Sequence, residues 1–460
     1  MKKQSDDIFE PAVPVVPEGW DVLPFEQAVD VISDKSKRVK QSAYLPSGKL
    51  PVIDQGQEFI GGYTDNEALA FEGELPVILF GDHTRSIKYV DKPFAVGAEG
   101  VKILKPTGGF DPKYLYYLLR SLHIPSRGYS RHFQFLRKFH FPRAPENQQK
   151  RIVAEIEKQF SLLDQAVANL KRVKANLKRY KAAVLKAAVE GRLVETEAER
   201  ARREGRSYET GAQLLQRILE TRRRQWQGKG KYKEPAAPDT TDLPELPEGW
   251  VWASLDQACA KITDGTHHSP KNYPHGEYKY ITSKNVREFR LALEDITYVD
   301  KATHDEIYAR CDVRKDDVLY VKDGVNTGLS AKNTLDEPFS LLSSVGVFRA
   351  LSLLSPDYLV AYLNSTVVRD RMLANIAGVA ITRLTLNKLK VTAIAIPPIS
   401  EQGRIVAEVD RRLSILRETE AQVDANLQRA ECLRQAILAR AFSGRLTTAA
   451  PGSASSATGS

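Results

Sequence analysis

The chain has 460 residues, of which 42% are hydrophobic, and its mean hydropathy is −0.37; this length suggests two to four domains, and no apolar run approaches the roughly 18 residues that would span a bilayer. The three cysteines are isolated and odd in number, which excludes a disulfide framework and a CxxC metal site and fits a reducing cytoplasm. The net charge of +9 and the pI near 9.2 favour an acidic partner, with nucleic acid the leading candidate and a merely basic soluble protein the alternative.

The chain starts with an N-terminal extension, residues 1–16, in which two lysines are followed by acids and by no apolar stretch, so it is not a signal peptide. A first globular domain is predicted over residues 17–143. Short strand-like runs such as LPVILFGDHTRSIKYV alternate there with turns, and a helical segment, PKYLYYLLRSL, follows them. This mixture is typical of an α+β fold.

Residues 144–193 are predicted to form a first long helix. Its apolar residues recur at spacings of three and four, which is typical of a coiled-coil seam, and Gly191 in the closing Gly-Arg-Leu is a natural helix terminator. A helix of roughly 43 residues would be roughly 65 Å long, and such a seam needs a partner. The seam consists of Ile152, Ile156, Phe160, Leu163, Val167, Leu170, Val173, Leu177, Tyr180 and Val184.

Residues 194–246 are predicted to be a charged helical connector and linker. ETEAERARREGR and LLQRILETRRRQW have helical character, whereas GKGKYKEPAAPDTTDLPE is typical of a flexible polar link. The cluster Arg222-Arg223-Arg224 with Trp226 could contact phosphate or could be a solvated face.

The second half repeats this order, with a globular domain over residues 247–397, a long helix over residues 398–446 and a tail over residues 447–460. The tail is expected to be disordered because GSASSATGS has little to bury. Glu420 interrupts the second seam where the first has Val167 (167 + 253 = 420). The second seam consists of Ile405, Val409, Leu413, Leu416, Val423, Leu427 and Ile437.

Three short motifs show that the chain is duplicated. RIVAE occurs at residues 151–155 and 404–408, and GRL at residues 191–193 and 444–446, both with an offset of 253. PEGW recurs with an offset of 230 (247 − 17), while the globular parts otherwise share little. We therefore predict two globular α/β domains separated by two long antiparallel coiled-coil helices, with an internal pseudo-twofold repeat. Alternatively, the helices pair with another protein or dimerise between chains.

Polar and basic residues gather in the predicted turns of both globular domains. Arg and Lys side chains suit guanine edges and phosphates, and Asn and Gln suit adenine, although each such residue could be a solvated loop residue instead. The DNA-binding candidates of the first domain are Gln55, Gln57, Tyr63, His83, Arg85, Tyr129, Arg131, His132 and Gln134. Those of the second domain are His267, His268, Lys284, Asn285, Arg287, Asn326, Thr327, Thr382, Arg383 and Asn387.

Motifs for catalysis and metal binding are lacking. There is no GxxxxGK[ST] phosphate loop, no HExxH and no GxSxG. His267 and His268 have no cysteine or acidic neighbour at zinc-ligand spacing, and a nuclease-like grouping of Asp316, Asp317 and Lys322 is of the kind that arises by chance in charged chains. We therefore predict no catalytic and no metal-binding residue.

The whole arrangement resembles the specificity subunit of a type I restriction-modification system. The resemblance covers about residues 15–446 and rests on two divergent domains, each entered by PEGW and left through RAPENQQKRIVAEI or PPISEQGRIVAEV before a long helix ending in GRL. DQGQEFIGGYT and ITDGTHHSP are similar to stretches in the target-recognition domains of that family. The first copy departs from the usual Glu-Gln pair before the helix, with Gln148-Gln149 where the second copy has Glu401-Gln402.

This resemblance implies a cytoplasmic, non-catalytic subunit in which each target-recognition domain reads one half of an interrupted site in double-stranded DNA. The helices would set the spacing and dock two modification (methyltransferase) subunits, and restriction subunits, which are ATP-dependent translocases and nucleases, would complete the complex. No cofactor is expected in this chain, and S-adenosylmethionine, ATP and Mg would be bound by the partner subunits. No membrane partner is implied. The alternatives are a self-sufficient DNA methyltransferase or nuclease, and a coiled-coil interaction scaffold that does not bind DNA.

Overall fold

The structure, a computed structural model, describes residues 9–33, 37–128, 130–227, 230–374 and 384–446. Contacts within the chain divide it into two compact units. Unit 1 comprises Met1–Arg172 and Val423–Ser460, and unit 2 comprises Val173–Gln422. Each unit therefore contains one globular part and one end of each long helix.

Unit 1 has a globular part in which three small sheets pack with short helices. Its four-stranded antiparallel sheet has the order β2-β8-β5-β6, a three-stranded sheet has the order β4-β3-β7, and β1 pairs with β9. The elements are β1 (Asp21–Pro24), α1 (Phe25–Ala28), β2 (Val29–Ile32), β3 (Leu50–Ile53), β4 (Gly62–Thr64), β5 (Val77–Gly81), β6 (Ile87–Val90), β7 (Ala95–Val96), β8 (Val101–Pro106), α2 (Pro112–Ser121), α3 (Phe133–Leu136), β9 (His140–Arg143) and the start of α4 (Glu146–Val189).

Unit 2 has the same strand order in its globular part. Its sheets are β11-β19-β16-β17, β15-β12-β18 and β10-β20, with the small hairpin β13-β14 in addition. The elements are α5 (Glu197–Glu204), α6 (Gly211–Arg224), β10 (Val251–Ser254), α7 (Leu255–Ala258), β11 (Cys259–Asp264), β12 (Tyr278–Ile281), β13 (Val286–Arg287), β14 (Arg290–Leu291), β15 (Thr297–Val299), α8 (Lys301–Arg310), β16 (Val318–Val321), β17 (Ser330–Lys332), β18 (Ser340–Leu341), β19 (Val345–Ala350), α9 (Pro356–Asn364), α10 (Thr366–Ala374), α11 (Leu386–Lys390), β20 (Ala393–Ile396) and the start of α12 (Ile399–Phe442). The predicted mixed α/β character is confirmed.

The helix that follows each four-stranded sheet starts and packs in the same way in both units. Asp111 caps α2 by accepting the N–H groups of Lys113 and Tyr114, and Ser355 caps α9 by accepting that of Tyr358, so both helices begin with a polar cap followed by proline. The buried Tyr114 hydroxyl donates to the carbonyl of Pro142 (3.0 Å), and that of Tyr358 donates to the carbonyl of Ala395 (2.8 Å). These bonds fix the helix against the last strand before each long helix.

The long helices α4 and α12 contain 44 residues each, which corresponds to roughly 66 Å at about 1.5 Å per residue. In each unit the start of one long helix and the end of the other share a hydrophobic core. The shared residues in unit 1 are Ile152, Ile156 and Phe160 of α4 with Leu438, Ala441 and Phe442 of α12. Those in unit 2 are Leu185, Ala188 and Val189 of α4 with Ile405, Val409 and Leu413 of α12.

Two residues of the predicted first seam are not buried. Val173 is 41% exposed and Tyr180 is 47% exposed. The Tyr180 hydroxyl accepts a hydrogen bond from the Arg412 guanidinium (3.3 Å) instead of entering a core. A single partner helix covers only one side of an α-helix, so apolar residues at the edge of the seam stay partly in water.

The connector differs in part from its prediction. The helical segments are present as α5 and α6, but the predicted flexible link packs on unit 2, because Ser254 donates to the carbonyl of Ala236 (2.7 Å) and the Trp252 indole to that of Pro244 (3.3 Å). Arg222 binds the Asp256 carboxylate (3.1 Å) and two backbone carbonyls, so this guanidinium is engaged within the fold rather than with phosphate. No helix in the described ranges is both long enough and apolar enough to cross a membrane.

Candidate nucleic-acid interface

In unit 1, the loops that carry most of the predicted DNA-binding residues meet at one end of the four-stranded sheet. They are the loop after β3 (residues 54–61), the hairpin between β5 and β6 (residues 82–86), the turn before β8 (residues 97–100) and the segment of residues 122–132. The Gln55 side chain accepts the N–H of His83 (3.1 Å), its carbonyl accepts the hydroxyl of Ser86 (2.7 Å), and the N–H of Asp82 donates to the carbonyl of Gly100 (2.7 Å). Gln55 therefore braces the loops, and its amide is not free to read a base.

His132 was predicted to contact DNA, but it is only 1% exposed and is a structural residue. Its Nδ1 lies 3.0 Å from the carbonyl of Asp82, and its Nε2 accepts the N–H of Arg127 (3.3 Å). The buried Asp82 carboxylate in turn accepts the N–H of Phe133 (2.8 Å). A buried imidazole must find internal partners, and these bonds lock the segment before α3 onto the hairpin.

A polar cleft of about 390 Å³ opens between these loops. Arg85, at its rim, has a positive φ of 60° and donates to the carbonyl of Ile124 (2.8 Å), so the guanidinium is held in place while the residue remains exposed. Gln57 is exposed in the same cleft. The lining residues are Gln57, Thr84, Arg85, Ile87, Leu119, Arg120, Leu122, His123 and Ile124. This lining contains cationic groups and no carboxylate, which suits a phosphate or a base edge.

The other candidates of unit 1 lie in different environments. Arg131 and Gln134 are exposed, and the Gln134 amide donates to the carbonyl of Arg131 (3.0 Å). His83 is half-buried, with its Nδ1 3.2 Å from the carbonyl of Ser130, and Tyr63 is half-buried within β4. Tyr129 lies outside the described residues.

A buried ammonium group supports the first loop from below. Lys88 is 5% exposed, donates to the carbonyl of Asp54 (2.8 Å) and lies 3.7 Å from the Asp54 carboxylate. Burial lowers the pKa of Lys88, and the Asp54 charge opposes this shift. This lysine holds the loop in position and is shielded from a ligand.

In unit 2, the corresponding loops also meet. They are residues 264–268 after β11, residues 282–285 after β12, residues 322–328 between β16 and β17, and residues 341–344 before β19. The N–H of Ser343 donates to the carbonyl of Thr266 (2.8 Å), that of Lys322 to the carbonyl of Ser344 (3.0 Å), and the Asn326 amide to the carbonyl of Ser283 (3.3 Å). Loops at equivalent positions on the two sheets therefore form one cluster in each unit.

Asp264 organises the charges of the second cluster. This carboxylate is 2% exposed and lies 3.4 Å from the Lys322 ammonium, 2.9 Å from the Arg310 guanidinium and 3.3 Å from His267 Nε2. Lys322, one of the polar loop residues noted in the sequence, is 1% exposed and serves as an internal counter-ion. His267 and Arg310 share the same carboxylate at the surface, where both are exposed.

Two further predicted residues of unit 2 are buried and are corrected in the same way. Asn285 is 2% exposed, accepts the N–H of Thr282 (3.0 Å) and donates to the carbonyl of Ala292 (3.1 Å). Thr327 is 9% exposed, and its hydroxyl donates to the carbonyl of Gly324 (2.5 Å). Both side chains close their own turns, as short polar residues in tight loops often do.

The remaining candidates of unit 2 are spread over several elements. His268, Lys284 and Asn387 are exposed, the last on α11, and His268 Nδ1 lies 2.9 Å from the Thr266 hydroxyl. Arg287 is half-buried in β13, and Asn326 is half-buried. Thr382 and Arg383 lie outside the described residues.

Four basic residues at these clusters were missed from the sequence. Arg120 and His123 line the unit 1 cleft, Arg310 reaches His267 and Asp264 from the last turn of α8, and the Lys271 ammonium lies over the Tyr273 ring (5.2 Å). Arg120 and Arg310 end helices, where a basic residue is expected for the helix dipole alone, so the sequence gave no reason to place them at a loop cluster.

Neither a metal site nor the nuclease-like grouping is assembled within the described residues. No three His, Cys, Asp or Glu side chains of this part of the chain converge in a way that could hold a metal ion. Asp317 forms a two-bond ion pair with Arg349 (2.9 Å for each bond), whereas Lys322 faces Asp264 and Asp323. These groups are used as structural ion pairs.

Residues 247–428 match the family model described as the type I restriction modification DNA specificity domain. This part of the chain belongs to that family. It includes the globular part of unit 2 and more than half of α12. The predicted resemblance to type I specificity subunits is confirmed.

Individual specificity subunits are similar over part of the chain. The StySPI specificity subunit of Salmonella potsdam is 28% identical over 210 residues, which is 45% of each protein. The EcoKI specificity subunit of Escherichia coli is 26% identical over 208 residues, which is 44% of each protein. The chain therefore spans somewhat less than half the length of these curated relatives.

A solved chain from a type I restriction-modification system, studied for its complex assembly and conformational transition, has a similar fold. The comparison covers 94% of this chain and 100% of the solved chain, with a TM-score of 0.56 and 16% identity. At this identity the likeness shows the fold alone.

Proposed function

We propose that this chain is the DNA-reading subunit of a type I restriction-modification complex, in which each unit reads one half of an interrupted DNA site. In this proposal the chain itself is not catalytic. Partner subunits would bind S-adenosylmethionine to methylate DNA, and ATP with Mg where a restriction subunit takes part.

The observation that carries the proposal is the pair of loop clusters. Two units with the same strand order bring equivalent loops together, but the exposed side chains differ: Gln57, Arg85 and Arg131 in unit 1, and His268 and Lys284 in unit 2. Two readers of one fold with unlike contact residues would read two unlike half-sites. The family match over residues 247–428 supports this reading for the second unit.

The long helices are proposed to form an antiparallel pair that spaces the two readers about a pseudo-twofold axis. A helix of roughly 66 Å corresponds to at most about 19 base pairs at about 3.4 Å each, so the half-sites would lie within two turns of DNA. Such a pseudo-symmetric chain would offer two similar docking faces, and two copies of one methyltransferase subunit could bind to it.

DNA binding by the full chain, assembled with its modification subunits, tests the readers directly. Replacing Arg85 and Arg131 with alanine should weaken binding and reduce the salt dependence of log K by about one for each phosphate contact that is lost. The matched control is the double variant R203A/R217A, which removes two exposed arginines of the connector and should bind like the parent chain. Equal weakening by both double variants would reduce the effect to net charge and contradict the proposal.

A domain exchange separates the two readers. Replacing residues 20–143 with the equivalent segment of a relative should change one half of the methylated sequence and leave the other half unchanged, as read by methylation mapping. A change in both halves, or in neither, would show that the reading is not modular. Methyl transfer or DNA cleavage by the isolated chain, given S-adenosylmethionine or Mg²⁺, would favour an enzyme, and an absence of salt-dependent DNA binding would favour an interaction scaffold.

A further inference from the structure

In unit 2, a groove beside the PEGW turn is filled by the start of α6. The N–H of Gly211, the first residue of α6, donates to the carbonyl of Gly249 (2.6 Å). A Cβ atom at Gly211 would collide with the carbonyl of Ile396 and lie 3.0 Å from that of Gly249, so only glycine fits this approach. Leu214 and Ile218, one and two turns further on, are fully buried in the core of unit 2.

In unit 1, the equivalent groove is open among the described residues. Asp21 pairs with Arg143 across β1 and β9, as Val251 pairs with Ile396 across β10 and β20, and both Asp21 and Arg143 line a groove of about 580 Å³. The full lining is Gly19, Asp21, Gly109, Phe110, Asp111, Arg143, Ala144, Pro145, Glu146, Gln149 and Lys150.

The two glycines of the PEGW turns measure this difference directly. Both have positive φ, 82° at Gly19 and 87° at Gly249. A Cβ atom at Gly249 would lie 2.8 Å from the Tyr208 hydroxyl, whereas no described atom lies within 4 Å of one at Gly19. The carbonyl that accepts a helix N–H in unit 2 thus has an uncovered counterpart in unit 1.

We propose that the unit 1 groove receives the first turn of an amphipathic helix from a partner protein, whose small first residue donates its backbone N–H to the Gly19 carbonyl. The occupant of the unit 2 groove defines the chemistry of this helix: a Ser or Thr cap, a glycine or alanine, and aliphatic residues three and seven positions later. The cap in unit 2 is Thr210, which accepts the N–H of Gln213 (3.3 Å).

The charges of the unit 1 groove suit a partner that arrives from water. An ion pair between Asp21 and Arg143 lies where the filled groove has Val251 and Ile396, and Arg143 also donates to the carbonyl of Gly108 (2.5 Å). A polar floor stays hydrated without its partner, whereas the aliphatic floor of unit 2 is permanently covered. The proposed helix therefore carries a polar or charged residue next to its small first residue, to meet this ion pair.

The test uses the full chain and a fluorescent peptide copied from residues 205–224, with binding measured by anisotropy. The variant E146W places an indole on the groove rim at a residue whose side chain is 75% exposed, so folding should be preserved. The matched control is I399W, because residue 399 is the equivalent position (146 + 253) at the start of α12. We expect the peptide to bind, E146W to weaken binding at least about tenfold and I399W to change it by less than about twofold. A peptide with Gly211→Gln should also bind at least about tenfold more weakly.

Several outcomes would overturn the proposal. They are a peptide that does not bind at about 1 mM, a binding constant that E146W leaves unchanged, and an equal loss with I399W, which would mean that the peptide displaces the chain's own segment in unit 2. A dimer of the chain that E146W abolishes would identify a second copy as the occupant, and tighter peptide binding after removal of residues 447–460 would identify the tail. None of these readouts depends on DNA, so a failure here is distinguishable from a failure of the DNA-reading function.

Discussion

Trp20 and Trp250 occupy equivalent positions but donate to different acceptors, and this predicts unequal costs for the same substitution. The Trp20 indole N–H donates to the amide oxygen of Gln148 (2.8 Å), and that of Trp250 donates to the carboxylate of Glu401 (2.9 Å). The two indoles are 9% and 8% exposed, so replacing either with phenylalanine removes a similar packed surface. The hydrogen bond is the difference between the two variants.

The size of this difference follows from the acceptors. A hydrogen bond between neutral groups contributes about 0.5–1.5 kcal/mol and one to a charged group about 1.5–3 kcal/mol, so W250F should cost about 1–1.5 kcal/mol more than W20F. Glu401 is fully buried, and its only other hydrogen bond given by the described structure comes from the N–H of Glu197 (2.8 Å). The Trp250 donor therefore supplies a large part of the stabilisation of this carboxylate.

The excess cost should also depend on pH. Burial raises the pKa of Glu401, and the bonds from Glu197 and Trp250 oppose that shift, so loss of Trp250 raises the pKa further. A carboxylate whose folded pKa lies above its unfolded value costs stability when it is ionised, and this cost fades as the pH falls towards the unfolded pKa of about 4.3. The excess cost of W250F should be largest near neutral pH and shrink towards pH 4.

Urea unfolding followed by circular dichroism gives the two free energies, and hydrogen exchange in the first turns of α4 and α12 assigns each loss to its unit. The reasoning would be refuted by a W20F variant that costs as much as W250F. It would also be refuted by an excess cost that stays constant between pH 7 and about pH 4.

Three further predictions concern packing, pH and the loop cluster. F442A should cost about 3–5 kcal/mol, because Phe442 is 7% exposed and packs edge-on against Tyr114 (5.2 Å), and the equivalent V189A should cost only about 1–2 kcal/mol; hydrogen exchange should place the losses in unit 1 and unit 2 respectively, and the same pattern for both variants would contradict the shared cores. Burial alone would raise the pKa of Asp312, but the hydrogen bond from Lys261 and the charge of Arg349 lower it to about 2, so this contribution is present above the unfolded pKa and lost as pH falls from about 4 to 2; D312N should flatten that part of the acid unfolding curve, and an unaltered curve would exclude this carboxylate as its source. D82A should leave the N–H of Phe133 without its acceptor, at a cost of about 1–3 kcal/mol, and should speed hydrogen exchange in residues 130–136; unchanged exchange there would show that Asp82 does not hold this segment.

The long helices were predictable because their signal is local and repeated. The first long helix was predicted over residues 144–193 and is observed over Glu146–Val189, and the glycine terminators Gly191 and Gly444 have the positive φ values that end such helices (66° and 74°). Strand pairing was not predictable. β2 pairs residue 29 with residue 106, and no short pattern specifies such a distant partner.

The candidate site was predictable only as loops, and the role of each side chain was not. Gln55, His132, Asn285 and Thr327 are the kinds of residue that contact bases, but they are also the kinds that satisfy buried backbone groups in tight turns. Which role applies depends on what the fold places nearby. Arg310 shows the converse, since it joins the cluster at His267 through a contact that spans 43 residues of sequence.

The motifs that survived the duplication are those that contact each other across the two copies. Gly191, from the GRL of the first copy, lies against Pro247 of the second PEGW, and a Cβ atom there would collide with the proline ring. Gly444, from the GRL of the second copy, lies in the same way against Pro17 of the first PEGW. Each unit is thus closed by a motif from the other copy, and a change in GRL would require a matching change in a PEGW that lies far away in sequence. The loops at the two clusters make no such exchange, so they were able to diverge while the frame stayed the same.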